Sequence, residues 1–500
     1  MSDDALLVIA VAGVAALLLL ILKAKVQPFV ALVVVSVGVA LAAGVPAADV
    51  VRTVEEGMGA TLGHIATIIA LGAMIGRIIE LSGGAHAFAH ALIDRFGGRH
   101  TPLALTVAGF VIGIPVFFEV GLIILMPIAY GVARAARRPL LVYALPMGAA
   151  MLTVHAFLPP HPGAVAAVEA IGADQGLVLL MGIPLTAVVV LLGHLMARRL
   201  TRRAYPMDPA VHAEVYGDRE PGPGGRDSGT TGAGDAAPDL TAPDLTTSVL
   251  ASSPSAVGDG HGTAVLARPA AVATGIRPPS PGMVLTLIVT PILLILLGTL
   301  GQNLLADGSP LRAVLTVLGA PMVALLIDVA LCAYFLGVRR GWSRARLAEV
   351  MGSALPSVAM VILVAGAGGV FGKVLIAGGV GDAVAGVLER SGLSALALAF
   401  VTALALRAAL GSTTVALITA AGILTPLLQR AELSTGQLSL VALAMGAGGL
   451  AVSHVNDAGY WMFTRLAGLD VPAGLRTWTV LTTAMGLTGF GLTACLWPLV

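Results

Sequence analysis

Long apolar runs recur along this 500-residue chain, and they constrain its fold more than any other feature of the sequence. Many reach about 18 residues, which is enough for a helix to cross the hydrocarbon core of a bilayer. Charged residues make up only 11% of the chain, whereas a soluble domain carries about 25%. The sequence therefore predicts an all-α polytopic membrane protein.

The segment from Ala204 to Pro281 interrupts this pattern. It holds no long apolar run and is rich in Gly, Pro, Asp, Ser and Thr. Such a segment cannot bury enough apolar surface to offset the entropy lost on ordering. We therefore predict a disordered cytoplasmic linker over 204–281, between an amino-terminal transmembrane repeat (1–203) and a carboxy-terminal transmembrane repeat (282–500).

The two halves share a register of small and basic residues. Four positions recur at one constant offset: Gly72, Gly76, Arg77 and Gly83 match Gly368, Gly372, Lys373 and Gly379. In addition, a Met-Gly-Ala segment precedes a histidine in each half, at His155 and at His454. Internal repeats are a common way of building secondary transporters, so we predict that the halves are related copies.

The basic clusters suggest how the chain crosses the membrane. Cytoplasmic loops attract Lys and Arg, so the clusters near Arg95 and Arg137 belong on the same side. Residues 101–133 must then leave and return on that side. As one straight helix this segment would be about 50 Å long, which exceeds the bilayer core. Because Pro115 interrupts it, we predict a re-entrant helical hairpin.

A second hairpin is predicted over 394–430, broken at Gly411-Ser-Thr-Thr414. It would open from the opposite face, which would make the halves inverted repeats. Together with the remaining apolar runs, the expected architecture is about 10–12 transmembrane helices plus two re-entrant hairpins.

The helix breaks are the candidate sites, because irregular backbone at membrane depth is tolerated only where it is buried in protein or lines a cavity. Glu119 follows the first break and lies between Phe117-Phe118 and a wholly apolar helix. A carboxylate inside the membrane is costly and usually functional. We predict a proton-coupling role for Glu119; the alternative is a structural ion pair with a basic residue.

His155 and His161 flank the Pro159-Pro160 pair, where a helix cannot continue. We predict that His155 takes part in proton handling and that His161 hydrogen-bonds substrate; structural histidines are the alternative. A metal site on two histidines six residues apart is only weakly indicated, and no metal is predicted.

Ser412, Thr413 and Thr414 lie where a half-helix would begin. Hydroxyls, free N–H groups and the positive end of the helix dipole together suit a carboxylate, although plain N-capping uses the same residues. Arg407 is predicted to pair with an anion or with Glu119.

The densest polar cluster in an apolar context is formed by His454, Asn456 and Asp457. Asn and Asp suit the hydroxyls of a sugar-like substrate, and Asp457 is a second candidate for proton coupling. The alternative is a simple turn between helices.

Five of these segments resemble the gluconate permease family of proton-coupled sugar-acid symporters. They are Glu80-Leu-Ser-Gly-Gly-Ala85, Gly113-Ile-Pro-Val-Phe-Phe-Glu-Val-Gly121, His155-Ala-Phe-Leu-Pro-Pro-His-Pro-Gly163, Gly368-Gly-Val-Phe-Gly-Lys373 and Ser453-His-Val-Asn-Asp-Ala-Gly459. The resemblance implies multi-pass insertion in a bacterial inner membrane and uptake of gluconate with protons. The plan is also similar to a wider ion-transporter superfamily, which implies paired hairpins, elevator-like motion and a possible homodimer.

The chain departs from the family pattern at the second break. The family has Arg-x-x-Gln-Gly-Ser-Ala-Thr-Val, whereas Leu410 and Thr413 stand at two of these positions here. The departure leaves the exact substrate open. Alternatives are a permease for D-serine, glycerate or a dicarboxylate, an intramembrane metalloenzyme using His155, His161 and Asp457, and a channel.

Neither nucleic acid nor a cofactor is predicted as a partner. The sequence has no basic patch and no Walker motif. The expected partners are gluconate or a similar organic anion, protons and the lipid bilayer.

Overall fold

The computed structural model describes residues 2–216, 278–379, 394–455 and 457–500, and every regular element in those ranges is helical. In the described part of the first half we number ten α-helices. They are α1 (Asp3–Leu22), α2 (Pro28–Ala42), α3 (Ala47–Leu81), α4 (Gly84–Phe96), α5 (Thr101–Ile112), α6 (Phe118–Ala136), α7 (Leu141–Phe157), α8 (Pro162–Ala170), α9 (Gln175–Leu200) and α10 (Pro209–Tyr216).

The second half continues the numbering. Its described helices are α11 (Pro281–Leu304), α12 (Pro310–Gly319), α13 (Pro321–Cys332), α14 (Arg344–Gly352), α15 (Leu355–Ala377), α16 (Ala395–Leu410), α17 (Thr413–Leu428), α18 (Thr435–Leu450), α19 (Ala458–Leu466), α20 (Val471–Gly474) and α21 (Val480–Leu496). A π-helical turn (Leu475–Thr479) joins α20 to α21, so α20, this turn and α21 form one continuous helix.

Eight helical segments in the described ranges are long and apolar enough to cross a membrane. They are Ala47–Leu81, Phe118–Ala136, Leu141–Ala170, Gln175–Leu200, Pro281–Leu304, Pro321–Arg340, Val358–Ala377 and Val471–Leu499. Shorter apolar helices of 10–17 residues accompany them, including α2, α12, α16, α17 and α18. On α9, Leu191 and Leu195 are about half exposed, as expected of side chains that face lipid. The predicted all-α, multi-spanning fold is confirmed, while the inverted relation of the halves stays a prediction.

Both predicted helix breaks are present. The first separates α5 from α6 at 113–117, and the second separates α16 from α17 at Gly411 and Ser412. Gly411 has φ +75°, in the left-handed region that favours glycine, so the chain turns there without strain. Ser412 then caps α17, since its Oγ accepts from the backbone N–H of Val415 at 3.4 Å.

The two halves pack tightly against each other through glycines on α3 and α15. A Cβ on Gly57 of α3 would lie 2.8 Å from the Cα of Val370, and one on Gly369 of α15 would overlap the hydroxyl of Thr61. Gly76 of α3 is equally tight, because a Cβ there would overlap the carbonyl oxygen of Pro115 in the first break. Helix α3 therefore contacts both the other half and the first break.

The first residues of the segment predicted as a linker are ordered instead. Helix α10 packs on α6: the Arg134 guanidinium donates to the carbonyl of Val215 at 2.6 Å, and the Tyr216 hydroxyl donates to that of Arg138 at 2.8 Å. These contacts hold α10 against α6, so the described first half extends to Tyr216. The composition of this segment did not indicate the helix, because it does not show that polar side chains of α6 and α10 find backbone carbonyls as partners. The rest of the predicted linker, through residue 277, lies outside the described residues.

The apolar run over 311–336 is not one continuous α-helix in the structure. Helix α12 ends at Gly319, and Ala320 is extended before Pro321 begins α13. A residue that precedes proline is disfavoured in the helical region, which accounts for the break. Gly319 also packs against the backbone of Gly298 on α11, where a side chain would not fit.

Candidate functional site

A cavity of about 380 Å³ lies where the two helix breaks meet, with α7, α8 and α15 around it. Its polar lining comes from Glu119, His155, Ser412 and Thr414, and its apolar lining includes Phe117 and Ile418. Pockets for small molecules typically measure about 300–1,000 Å³ and combine apolar walls with a few polar groups. The cavity fits that description.

Two helix amino-termini carry these polar groups. Glu119 lies in the first turn of α6, directly after the first break, and Ser412 caps α17 directly after the second. Helix α8 holds α17 close, because a Cβ on Gly163 would lie 2.9 Å from the Cα of Thr414. Each amino-terminus directs free N–H groups and a partial positive charge toward its end of the helix.

The Glu119 carboxylate lines the cavity without an ion pair to any described basic side chain. Arg407, which the sequence offered as a partner for Glu119 or for an anion, binds Asp457 instead. The structural ion pair considered as the alternative role for Glu119 is therefore absent from the described part of the chain.

His155 and His161 pack against each other across the Pro-Pro break, with ring centroids 4.3 Å apart and the ring planes tilted by 48°. His161 Nε2 donates to the carbonyl of Gly113 at 2.5 Å, which ties this break to the first hairpin. His155 Nε2 lies 3.4 Å from the hydroxyl of Thr414, while its Nδ1 is buried and has no hydrogen-bond partner among the described residues. His155 thus connects the histidine pair to α17.

A buried ion pair supports the second break from behind. The Arg407 guanidinium donates to the Asp457 carboxylate, and their side chains are 1% and 8% exposed. Arg407 also donates to the carbonyl of Gly411 at 2.5 Å. Neither partner lines the cavity, so the pair positions the second break and has no direct access to a ligand in this structure.

The Asp457 carboxylate is held by further donors. The hydroxyl of Ser453 and the backbone N–H of Gly459, the latter at 2.9 Å, both donate to it. The indole of Trp478 in turn donates to Ser453 Oγ at 2.7 Å. A carboxylate with this many partners is fixed in one orientation.

Two further predicted site residues that the structure describes lie away from the cavity. Thr413 donates from its hydroxyl to the carbonyl of Gly449 at 3.2 Å and so faces α18. His454 Nδ1 lies 2.9 Å from the carbonyl of Val452, within its own turn. Asn456 lies outside the described residues. Among the predicted site residues that are described, the structure therefore gathers Glu119, His155, Ser412 and Thr414 around one space, and the others do not line it.

Two groups of residues near the cavity were not predicted. Arg77 forms an ion pair with Glu80 at 2.8 Å and donates a hydrogen bond to Ser353 Oγ at 3.1 Å. These three residues line a cavity of about 180 Å³, which shares Phe117 with the main cavity. Asp328 on α13 is fully buried behind the first break. The signal for Asp328 was present in the sequence, as a lone acidic residue within an apolar run.

A family model described as GntP family permease matches residues 5–221 and 267–500. The chain belongs to the GntP permease family. The inner membrane permease YgbN of Escherichia coli (strain K12) is 44% identical over 500 residues and is covered in full, as is this chain. A gluconate permease of Bacillus licheniformis is 36% identical over 493 residues, which cover 98% of this chain and 99% of that one.

The fold is also similar to a solved one. The crystal structure of the YdaH transporter of Alcanivorax borkumensis aligns with a TM-score of 0.58 over 94% of this chain and 98% of that chain. At 13% identity this likeness concerns the fold alone. Membership of the GntP family confirms the family resemblance seen in the sequence. It also confirms that the protein is a transporter and not an enzyme, and that it is a multi-pass protein of the bacterial inner membrane.

Proposed function

We propose that this GntP-family permease imports gluconate or a closely related sugar acid together with protons, through the cavity between the two helix breaks. One observation carries the proposal: a helix amino-terminus with two hydroxyl side chains and a carboxylate that has no ion pair among the described residues line the same cavity. The named activity of the Bacillus licheniformis relative supports the choice of gluconate.

The amino-terminus of α17 is the proposed carboxylate site. Ser412 and Thr414 place hydroxyls at the cavity wall, beside the first N–H groups of a 16-residue helix. Backbone N–H donors and the dipole favour an anion at that end. Thr413, one of the two departures from the family pattern, faces Gly449, and so its change leaves this wall intact.

The substrate hydroxyls next to the carboxylate would meet His155. Its ring lines the cavity and lies within reach of the Thr414 hydroxyl, so both can exchange hydrogen bonds with substrate hydroxyls. The apolar side chains of Val361 and Ile418 complete the wall and leave room for the carbon chain. The contact predicted from His454 would require the turn that holds it to rearrange, because His454 does not line the cavity.

Glu119 is the proposed coupling group. An ionised Glu119 would repel a substrate carboxylate in the same cavity, and Coulomb repulsion between unit charges is strong where water is scarce. Substrate binding therefore favours Glu119 in its protonated form, which links the proton to the anion. If only the empty and the fully loaded forms change access, the proton gradient drives accumulation.

Uptake of labelled gluconate in cells that lack their own permeases tests the proposal. We expect concentrative uptake that an uncoupler abolishes. Uptake that survives the uncoupler would overturn proton symport. Uptake that instead depends on a sodium gradient would identify sodium as the coupling ion. Competition by D-serine, glycerate and a dicarboxylate that exceeds competition by sugar acids would overturn the substrate assignment. The possible homodimer is tested separately, by the mass of the protein in lipid nanodiscs.

A further inference from the structure

Asp328 is an acidic side chain buried in an apolar part of the membrane-spanning bundle. It lies on α13 and is 0% exposed. Its Oδ1 has no hydrogen-bond partner among the residues that the structure describes. Its Oδ2 accepts only a weak bond from the thiol of Cys332, with a sulfur–oxygen distance of 3.8 Å.

The unpartnered Oδ1 belongs to a residue that lines a small cavity of about 20 Å³. The cavity is enclosed by apolar residues of α3 and α11, by Pro115 of the first break and by the Pro159-Pro160 pair. Gln175 at the start of α9 is the one other polar side chain among its lining residues.

No described basic side chain faces Asp328 from the helices packed around it. Helices α3 and α11 present only Ile, Pro and Gly to this cavity. On α12, Arg312 is engaged by Asp307 in the neighbouring loop. Cys332 is the titratable neighbour on α13 itself, and Glu169 lies behind Gln175, whose amide donates to it at 2.6 Å.

A carboxylate in these surroundings is far more costly than a carboxylic acid, because the lining of the cavity is apolar and no described cation compensates the charge. The acid form needs only one acceptor for its proton. If the side chain is neutral in this conformation and ionised in another one, it binds a proton in the first and releases it in the second.

Two small cavities lie between Asp328 and the main site. The cavity beside Asp328 shares Gly72 and Pro115 with a second cavity of about 10 Å³ that is lined by His161. The second cavity shares Phe117 and Pro162 with the main cavity, where Glu119 and His155 lie. Volumes of about 10–15 Å³ hold a single water molecule, so each small cavity has room for one water, with Asp328 and Gln175 as polar neighbours in the first and His161 in the second.

We propose that Asp328 is a second proton-binding site, which exchanges its proton with the substrate cavity through His161 at the first helix break. In the transfer, the Asp328 O–H bond breaks and leaves a carboxylate, and a bridging water relays the proton to the His161 nitrogen that does not bind Gly113. The charge is conserved, and no other reactant is needed. This role rests on the proposed proton symport, and it adds a site that no substrate atom touches.

The first test detects the proton without any substrate. We expect the infrared spectrum of the full chain in lipid at neutral pH to contain a protonated-carboxyl carbonyl band that Asp328→Asn lacks. Cys332→Ala keeps the carboxyl but removes the thiol bond, and it should shift the same band. A spectrum of Asp328→Asn identical to that of the wild type would overturn the proposal.

The second test measures coupling in proteoliposomes. For Asp328→Asn, we expect proton-driven gluconate accumulation to fall at least tenfold while exchange of internal for external gluconate persists. Asp307→Asn, the same change at an exposed carboxylate, should accumulate gluconate like the wild type. Wild-type accumulation by Asp328→Asn would overturn the proposal.

The two tests separate this inference from the proposed function. If the wild type itself fails to concentrate gluconate under a proton gradient, the symport assignment fails. The infrared comparison then still decides whether Asp328 holds a proton. If Asp328→Asn does not fold, the shift of the band in Cys332→Ala decides the same point.

Discussion

Arg407 and Asp457 form an ion pair inside the bundle although they lie 50 residues apart in the chain, and the pair links the end of α16 to the start of α19. Removal of one partner leaves a buried charge uncompensated, which costs about 3–5 kcal/mol. We therefore expect Asp457→Asn to lower the free energy of unfolding by that amount in a chemical-denaturation series in detergent.

The matched comparison for this pair is Arg346 with Glu349, which is also ionic but is 47% and 69% exposed at the side chains. Glu349→Gln should cost less than about 1 kcal/mol. The double variant Arg407→Met/Asp457→Leu should recover much of the loss, since no charge then remains buried. Equal losses of unfolding free energy for Asp457→Asn and Glu349→Gln would show that the buried pair stabilises the fold no more than the exposed pair does.

Glu119→Gln separates binding from coupling. The amide keeps the shape of the side chain but cannot lose a proton, so we expect gluconate to bind while proton-driven accumulation fails. Binding is measured by isothermal titration and accumulation by labelled uptake in proteoliposomes, with Glu349→Gln as the exposed control. Accumulation at the wild-type level would exclude Glu119 as the coupling group.

The two threonines that follow Ser412 should respond differently to loss of their hydroxyls. Thr414 faces the cavity, whereas Thr413 is bound to Gly449 of α18. A lost hydrogen bond of about 1–1.4 kcal/mol weakens binding about five- to tenfold. We expect Thr414→Val to raise the dissociation constant for gluconate by that factor and Thr413→Val to leave it unchanged; the reverse order would relocate the carboxylate site.

Capping and ligand binding can be told apart at Ser412. Ser434 caps α18 through a full capping box with Gln437 and does not line the cavity. Replacement by Ala should cost each helix about 1 kcal/mol. Only Ser412→Ala should also weaken gluconate binding, measured by the same titration. If Ser412→Ala lowers the thermal stability alone, Ser412 is a cap and nothing more.

Gly76 tests the contact between α3 and the first break. A Cβ there would overlap the Pro115 carbonyl, whereas a Cβ on Gly59 of the same helix would meet nothing within 4 Å. We expect Gly76→Ala to destabilise the protein by about 1–3 kcal/mol and to abolish transport. Gly59→Ala should be neutral or stabilising, because alanine favours helix. Normal uptake by Gly76→Ala would show that the first break tolerates displacement.

Local features of the sequence predicted the architecture well. Apolar runs identify membrane helices because their length is fixed by the bilayer, and Pro115 and Gly411 identify the breaks because proline and glycine act within their own turn. Glu119 and Ser412 were predicted for the same reason, since each follows a break directly. No pattern of that kind reveals that α10 packs on α6, because the contact depends on backbone carbonyls that any sequence provides.

Pairings between distant residues were out of reach of the sequence. Asp457 looked like a candidate for the coupling ion, and Arg407 like a partner for an anion, because a single sequence does not show which charges meet. Asp328 is visible in the sequence as a lone acidic residue in an apolar run, but only the packing shows that no described cation faces it. Thr413 and Thr414 are adjacent in the chain, but the turn of the helix alone decides which of them faces the cavity.

The contact between Arg407 and the Gly411 carbonyl has a consequence for ion selectivity. The carbonyl end of α16 is covered by a guanidinium, while the N–H end of α17 remains open to the cavity. Apart from Glu119, the described lining offers a cation only the neutral hydroxyls of Ser412 and Thr414 and the ring of His155, and no second carboxylate. If Glu119 takes up a proton as we propose, the cavity carries no negative charge of its own, and we expect it to bind potassium weakly.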